Sequence, residues 1–337
     1  MTERERFFRE MESDSDGLVL SHVGISYPVW QQYGQRLDWL ENFSPHVRVG
    51  IGRSPGRTPY SEATDDWGCR WIYPLDSLDG QCIGHPIGSW SNLKSYRPPD
   101  PARYTDWKAA EQNLAQAKAQ DKVASGGTDH GGIFLRLTYL RGFENFMVDV
   151  AEERPELDEL VAMVERYWFE VAKRWVEAGA ELVSFGDDLG HQDRLPISPS
   201  AWRRYIKPSY RRIFQYCRSH GVHLHLHTDG YIVDIIPDLI ECGVTSLNPQ
   251  ELVNGLGRLR ELAFGKVFLD LDIDRQKITV FGTPEECDAH ILKCVRTLGS
   301  PKGGLKFIWG VYPGTPYENI EAVVRAMDRY AACWSQG

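Results

Sequence analysis

The chain has 337 residues, of which 42% are hydrophobic, 25% charged and 12% aromatic, a composition that excludes the disordered, fibrous and membrane-spanning classes. Its 38 Lys+Arg against 47 Asp+Glu give a net charge of −9, and no basic run is present to neutralise a phosphate backbone, so nucleic acid is not an expected partner. Seven cysteines form no CxxC pair, which argues against a disulfide framework or a cysteine zinc knuckle and for reduced thiols. The start MTERERFFREM is charged and lacks an apolar core, and no stretch of about 18 apolar residues follows, so a cytoplasmic location without membrane contact is expected.

A first strand is predicted over residues 18–23. Between residues 42 and 122 clean periodicity is lost in runs rich in Trp, Gly and Pro (WGCRWIYPLDSLDG, SYRPPDP), read as an insertion, 42–122, elaborated over one end of the fold. Its Trp67, Trp71 and Trp90 are expected either to cover a cavity and exclude water or, equally, simply to pack. A second strand is predicted over residues 133–139. Leu157, Leu160, Val161, Val164, Trp168, Val171 and Trp175 then recur at spacings of three and four, predicting an amphipathic helix that Gly179 stops.

Strand runs follow at 182–185, 222–227, 244–247, 267–273 and 305–309, each with a helical segment after it; the first of those helices is opened by Ser198-Pro199 and runs to Gly221. Thr283-Pro284-Glu285-Glu286 and Thr315-Pro316-Tyr317-Glu318 both read as capping boxes, with Thr at the cap and Glu three residues on. Parallel strands need a helix to carry the chain back, so this alternation predicts a parallel sheet. No GxGxxG or P-loop follows a strand, which disfavours an open nucleotide-binding sheet. With the two earlier strands the count approaches eight, giving a (β/α)8 TIM barrel as one domain over 1–337.

Barrel enzymes place their chemistry at the C-terminal ends of the strands, and those ends are polar here. FGDDLGHQD supplies Asp187, Asp188 and Gln192; HLHLHTDG supplies His227 and Asp229; SLNPQE supplies Asn248, Gln250 and Glu251; FLDLDIDRQ supplies Asp270, Asp272 and Asp274. In VHLHLHTDG, period two turns Leu224 and Leu226 toward the helices and His223, His225 and His227 inward. His223 and His225 read as hydrogen-bonded interior groups, His225 also as a pocket residue. His227 and Asp229 form an HxD pair that holds a metal or relays a proton. Adjacent Asp187 and Asp188 must face opposite ways, one toward the cavity and one toward a helix cap or an arginine such as Arg194. Both enter as catalytic candidates, while Gln192, His225, Asn248, Gln250, Asp274 and Trp67 are expected to shape the substrate pocket. A metal needs a third ligand beside His227 and Asp229, and Glu251, Asp272 and Asp187 are the choices, Glu251 first. Arg136 and Arg141 are expected to form surface ion pairs in preference to charging the cavity.

The segments GDDLGHQDRLPISPSAWRRYIKPSYRRI, HGVHLHLHTDGYIVDIIPDLIECGVTSLNPQE, DRQKITVFGTPEE and YPGTPYENIEAVVRAM together resemble the uroporphyrinogen decarboxylase superfamily, in the branch that includes cobalamin-dependent methyltransferases. The N-terminal MTERERFFREM, DDWGCRW and RPPDP runs look similar to it too. The resemblance implies a (β/α)8 barrel and a homodimer. The methyltransferases it points to use zinc, held by an HxC pair and a later cysteine, to activate a thiol. Here Asp229 stands two residues after His227, and FIWGVYPGTP carries no cysteine.

The expected function is methyl transfer between a small methylated substrate and a corrinoid carried on a separate protein, with a divalent metal such as zinc as a second cofactor candidate. The alternative is a decarboxylase or other lyase acting on a small aromatic or tetrapyrrole-like substrate, with a non-catalytic binding barrel as a third class. Uroporphyrinogen decarboxylase proper grips a many-carboxylate tetrapyrrole with arginines from an N-terminal loop, whereas SHVGISYPVWQQYG has none. An amidohydrolase is excluded, because after His227 the chain offers just His290, in a helical segment.

Overall fold

The computed structural model describes residues 2–12, 14–76 and 80–334; Ser77, Leu78 and Asp79 of the Trp-, Gly- and Pro-rich stretch lie outside them. Its strands are β1 Leu20–Ile25, β2 Val47–Ile51, β3 Ser61–Thr64, β4 Arg70–Tyr73, β5 Gln81–Gly84, β6 Ser125–His130, β7 Leu182–Gly186, β8 His223–Thr228, β9 Ser246–Pro249, β10 Phe268–Asp272 and β11 Leu305–Val311. Eight of them form one sheet in the order β2-β1-β11-β10-β9-β8-β7-β6, parallel and alternating with helices, which is the (β/α)8 barrel architecture. A separate sheet has the order β3-β4-β5. The chain divides into two compact units, Met1–Phe7, Glu62–Ile72 and Gly80–Leu247 in the first, and Phe8–Ser61, Tyr73–Asp79 and Asn248–Gly337 in the second. Among the described residues no helix is long and apolar enough to cross a membrane.

In the first unit the long amphipathic helix is Glu156–Glu177, its Leu157, Leu160, Val164, Trp168 and Val171 buried as the three-and-four spacing requires. It returns the chain from β6 to β7, and Lys207–Ser219 returns it from β7 to β8. On β8, Leu224, Leu226 and Thr228 are buried while His223, His225 and His227 are half-buried, the alternation expected from period two. Phe214 of the helix meets Phe185 of β7 at 5.0 Å between rings. In the second unit β11 alternates likewise, with Leu305, Phe307, Trp309 and Val311 buried, and helices Pro284–Leu298 and Tyr317–Tyr330 pack on each other. The capping box at Thr283 is formed, Glu286 N–H to Thr283 Oγ1 at 3.2 Å and Thr283 N–H to Glu286 Oε2 at 2.8 Å.

Four expectations need correction. Residues 133–139 are not a strand: Phe134–Arg141 is a helix, and the strand in that stretch is β6, SGGTDH, whose glycines hide it from strand propensity. Its first glycine is demanded by packing, since a Cβ on Gly126 would lie 2.3 Å from the Trp175 ring. The helix opened by Ser198 is two helices, Pro199–Tyr205 and Lys207–Ser219, because Pro208 has no N–H to continue the ladder. Thr315 caps nothing: Tyr317–Tyr330 has Pro316 at its cap without a side-chain bond, and the Thr315 carbonyl instead accepts the Tyr33 hydroxyl at 2.9 Å. Residues 42–122 are not wholly an insertion, because they contain β2, which pairs in parallel with β1.

Two outcomes follow from this packing. Trp175 is fixed by its Nε1–H bond to the Gly127 carbonyl at 2.8 Å, so Gly126→Ala should overpack the site and cost about 1–3 kcal/mol. Gly127→Ala, whose Cβ would make ordinary contacts with Ser184, should stay within about 1 kcal/mol of the parent in urea unfolding. Equal losses would show that Trp175 is not the obstacle. Burial, helped by the charge of Arg218, lowers the His223 pKa to about 4, and Phe7 packs edge-on against the ring at 6.2 Å. The unfolded imidazole titrates near ~6.5, so between these values the unfolded state binds more protons and stability is lost as pH falls through that window. His223→Leu should flatten the decline of Tm between pH 6.5 and 4; parallel Tm profiles would refute the burial of a neutral imidazole.

Candidate active site at the ends of β6, β7 and β8

In the first unit, strand register sets the site. His130 of β6 is level with Gly186 of β7, and Gly186 is level with His227 of β8. Side chains level with one another on parallel neighbours share a face, so two imidazoles flank a position with no side chain. The gap is needed, since a Cβ on Gly186 would lie 2.8 Å from His130 Nδ1. The two imidazole centroids are 5.6 Å apart.

Beyond Gly186 the chain runs into Asp187 and Asp188, which diverge as adjacent extended residues must. Asp187 is 1% exposed. Its carboxylate accepts the backbone N–H groups of Ile133 at 3.0 Å, Phe134 at 2.7 Å and Leu135 at 2.8 Å, and the Tyr210 hydroxyl at 2.6 Å. These N–H groups are the unpaired donors at the start of helix Phe134–Arg141, whose own cap residue, Ile133, has no acceptor side chain. Burial pushes the Asp187 carboxyl above its usual pKa range, against the opposing pull of Tyr210 and the two N–H groups of Leu135 and Phe134. Asp187 thus serves as a helix cap borrowed from the neighbouring strand.

Asp188 points the other way. Its Oδ2 is 3.1 Å from His130 Nε2; its Oδ1 accepts the Asp229 N–H at 3.1 Å and lies 3.9 Å from His227 Nε2. Burial works to raise its pKa, but the hydrogen bond and charge of His130, the Asp229 N–H and His227 outweigh it and hold the carboxyl below its ordinary range. Asp229 Oδ1 is 3.4 Å from His227 Nε2. The side chains of His130, Asp188, His227 and Asp229 are 27–36% exposed, open to a small molecule.

The two loops that carry these groups are stapled backbone to backbone. Gly190 N–H donates to the Asp229 carbonyl at 3.2 Å, Tyr231 N–H to the His191 carbonyl at 2.7 Å, and Leu189 N–H to Thr228 Oγ1 at 3.1 Å. A Cβ on Gly190 would sit 2.3 Å from the Tyr231 nitrogen, and one on Gly230, at φ +84°, 2.0 Å from the Gly190 oxygen. Only glycine permits that approach.

The remaining sequence candidates fall elsewhere. Gln192 is exposed on the loop after β7, and His225 lies two residues deeper than His227 on the same face. Arg194 pairs with Asp193 at 2.7 Å. Trp67 is buried against Tyr167 at 4.6 Å between rings, with the Arg136 guanidinium over its face at 5.0 Å. Arg136 bonds Asp65 at 2.7 Å and Arg141 bonds Asp149 at 2.7 Å, ion pairs whose arginines are buried and not, as expected, on the surface.

In the second unit, Asn248 donates to the Asp270 carbonyl, and Gln250 bridges to Asp272 and accepts from Asn254 at 2.8 Å. Asp274 caps a turn, taking N–H bonds from Gln276 at 2.9 Å and Thr279 at 3.2 Å. Glu251 is buried and accepts the Asp274 N–H at 3.1 Å and His290 Nε2–H at 2.7 Å, with Cys294 in the same buried group.

Ligand atoms of His130, Asp188 and His227 all lie within 4.8 Å of one another. Two imidazoles and a carboxylate suit a borderline divalent ion such as zinc with one position left open. Sequence reasoning missed His130, since β6 had gone unrecognised; the signal was the glycine level with it on the neighbouring strand.

The Uroporphyrinogen decarboxylase (URO-D) family model matches residues 68–330. A methylcobamide:CoM methyltransferase, MtaA of Methanosarcina barkeri, is 25% identical over 164 residues, 48% of this chain and 45% of that protein, so the match spans less than half of that relative's length. Uroporphyrinogen decarboxylase of Synechococcus sp. (strain CC9605) is 24% identical over 272 residues, 75% of this chain and 73% of that one. A solved methyltransferase from Methanosarcina mazei, 17% identical, superposes over 98% of this chain and 99% of its own with a TM-score of 0.64, which bears on the shared fold. With the family model spanning most of its length, the chain belongs to the uroporphyrinogen decarboxylase family.

Proposed function

We propose that this chain is a methyltransferase, moving a methyl group between a small methylated substrate and a corrinoid carried on a separate protein. The observation that carries the reading is the convergence of His130, Asp188 and His227 at the ends of three consecutive strands. The name of the methylcobamide:CoM methyltransferase relative supports the choice of methyl transfer within the family.

His130, Asp188 and His227 would hold a divalent ion such as zinc. Such an ion, when bound, lowers the pKa of a heteroatom in its open position and favours the nucleophilic form. Asp229, beside His227 and open to solvent, is placed to accept the proton that leaves the substrate heteroatom. The stapled loops hold Asp188 and Asp229 in register, and the missing side chain at Gly186 makes room for the His130 ring beside His227. Without a cysteine in the set, these residues would hold the ion more weakly than a thiolate-bearing site.

A second reading, a lyase releasing carbon dioxide, is favoured by the length of the match to the Synechococcus decarboxylase. There the His130–Asp188 pair would protonate a carbanion. The arginine-free stretch SHVGISYPVWQQYG speaks against a many-carboxylate tetrapyrrole as its substrate.

The test is spectroscopic. A methylated corrinoid, free and protein-bound, incubated with the purified chain and a thiol acceptor, should lose its methyl–cobalt absorbance. His130→Ala and His227→Ala should slow that change about a hundredfold or more, with Tm lowered only slightly because both side chains are partly exposed. No corrinoid change, with carbon dioxide released from an aromatic carboxylate, would favour the lyase; loss of Tm in step with activity would make the two histidines structural.

A further inference from the structure

Outside that site, the first unit holds a pair of cysteines at the β4–β5 ladder. Trp71 of β4 is level with Cys82 of β5, the register shifting between Arg70 and Trp71, and Cys69 immediately precedes β4. The two thiols are near enough to shift each other's ionisation in opposite directions. Cys69 is fully buried and fixed: its N–H donates to Asp65 Oδ1 at 2.8 Å, and Asp65 Oδ2 is bonded by Trp71 Nε1 at 3.1 Å and by Arg136 at 2.7 Å. The Arg136 guanidinium is 4.0 Å from the Cys69 sulfur. Cys82 is half-buried, so solvent reaches it.

His85 adds to the arrangement. Its Nδ1 lies 2.8 Å from the Tyr139 carbonyl, which can only accept, so that nitrogen carries a hydrogen, and the Cys82 sulfur lies 3.6 Å from the same nitrogen. The hydrogen bond from Cys69 is the main reason the Cys82 pKa falls to about 7; burial opposes it and His85 assists. Cys69 is pushed up, first by that hydrogen bond and then by burial. One accessible thiol that ionises easily, against one buried thiol that does not, is the division of labour between an attacking and a resolving cysteine.

We propose that Cys69 and Cys82 form a peroxide-oxidisable dithiol that closes to an intramolecular disulfide at this ladder. The Cys82 thiolate attacks one oxygen of a hydroperoxide; the O–O bond breaks, leaving a sulfenic acid on Cys82 and the departing oxygen as an alcohol, or as water from hydrogen peroxide, after it takes up a proton. The Cys69 sulfur then attacks the Cys82 sulfur, the S–S bond forms, the S–O bond breaks and water leaves with the Cys69 proton. Two thiols are oxidised and one peroxide is reduced. In the disulfide the sulfurs stand roughly 2.05 Å apart. The pair abuts the C-terminal end of helix Phe134–Arg141 through Tyr139, the helix whose first turn Asp187 holds.

The experiment treats the reduced full-length protein with graded hydrogen peroxide, blocks free thiols with iodoacetamide and maps peptides by mass spectrometry without reduction. A dithiothreitol-reversible peptide linking Cys69 to Cys82 should appear at peroxide doses about tenfold below those that oxidise the buried Cys217, Cys242, Cys287 and Cys294. In Cys69→Ser, Cys82 should stop at a sulfenic acid that dimedone captures. Both cysteines still alkylated after the exposed Cys333 is oxidised, or either of them linked to Cys333, would overturn the proposal, and that reading is taken on the unmodified protein, so it does not depend on how the variant folds.

Discussion

A buried carboxylate without a basic side chain on it is costly unless several donors meet it, and the Asp187 carboxylate meets four: three N–H groups opening helix Phe134–Arg141, and the Tyr210 hydroxyl. This interaction fixes where the chain leaves β7. Once Asp187 is turned inward to the helix, Asp188 must turn outward, and the register of β6, β7 and β8 places it beside His130 and His227. The Asp187 N–H also donates to the His227 carbonyl at 3.1 Å, tying the end of β7 to the end of β8. Neighbouring residues of identical type thus take different partners, Asp187 a helix start and Asp188 an imidazole.

The parts of the fold that were legible in the sequence are those where burial imposes a period. Glu156–Glu177 and β8 are examples, each with one apolar face and one polar. β6 was illegible for a physical reason: Gly126 exists to accommodate Trp175, which lies far along the chain, and no local pattern encodes a ring packed from elsewhere. The run at 133–139 reads as a strand, yet Phe134–Arg141 is a helix whose first N–H groups meet the Asp187 carboxylate, again from a distance. Thr315 carries the local signature of a cap, yet helix Tyr317–Tyr330 starts after Pro316.

The closeness of His227 and Asp229 was legible because they sit two residues apart at a strand end, and the divergence of Asp187 and Asp188 was legible from strand geometry. Their assignment was not, since it depends on which helix start lies opposite. Polar strand ends in the second unit show that a carboxylate at such an end also holds backbone in place. Asp274 takes the N–H groups of the turn that follows it, and Glu251 is bound to His290 and to the Asp274 N–H. These acids are consumed in holding loops, as most loop carboxylates are.

The central claim is that His130, Asp188 and His227 form one donor set able to hold a divalent ion. An anomalous difference map at the zinc absorption edge, from crystals of the untagged protein soaked in zinc, tests it most directly. The account predicts a peak bounded by the His130 and His227 imidazoles and the Asp188 carboxylate. No peak there, with the three side chains merely hydrogen-bonded to one another or with zinc seated instead at Glu251, His290 and Cys294, would contradict it.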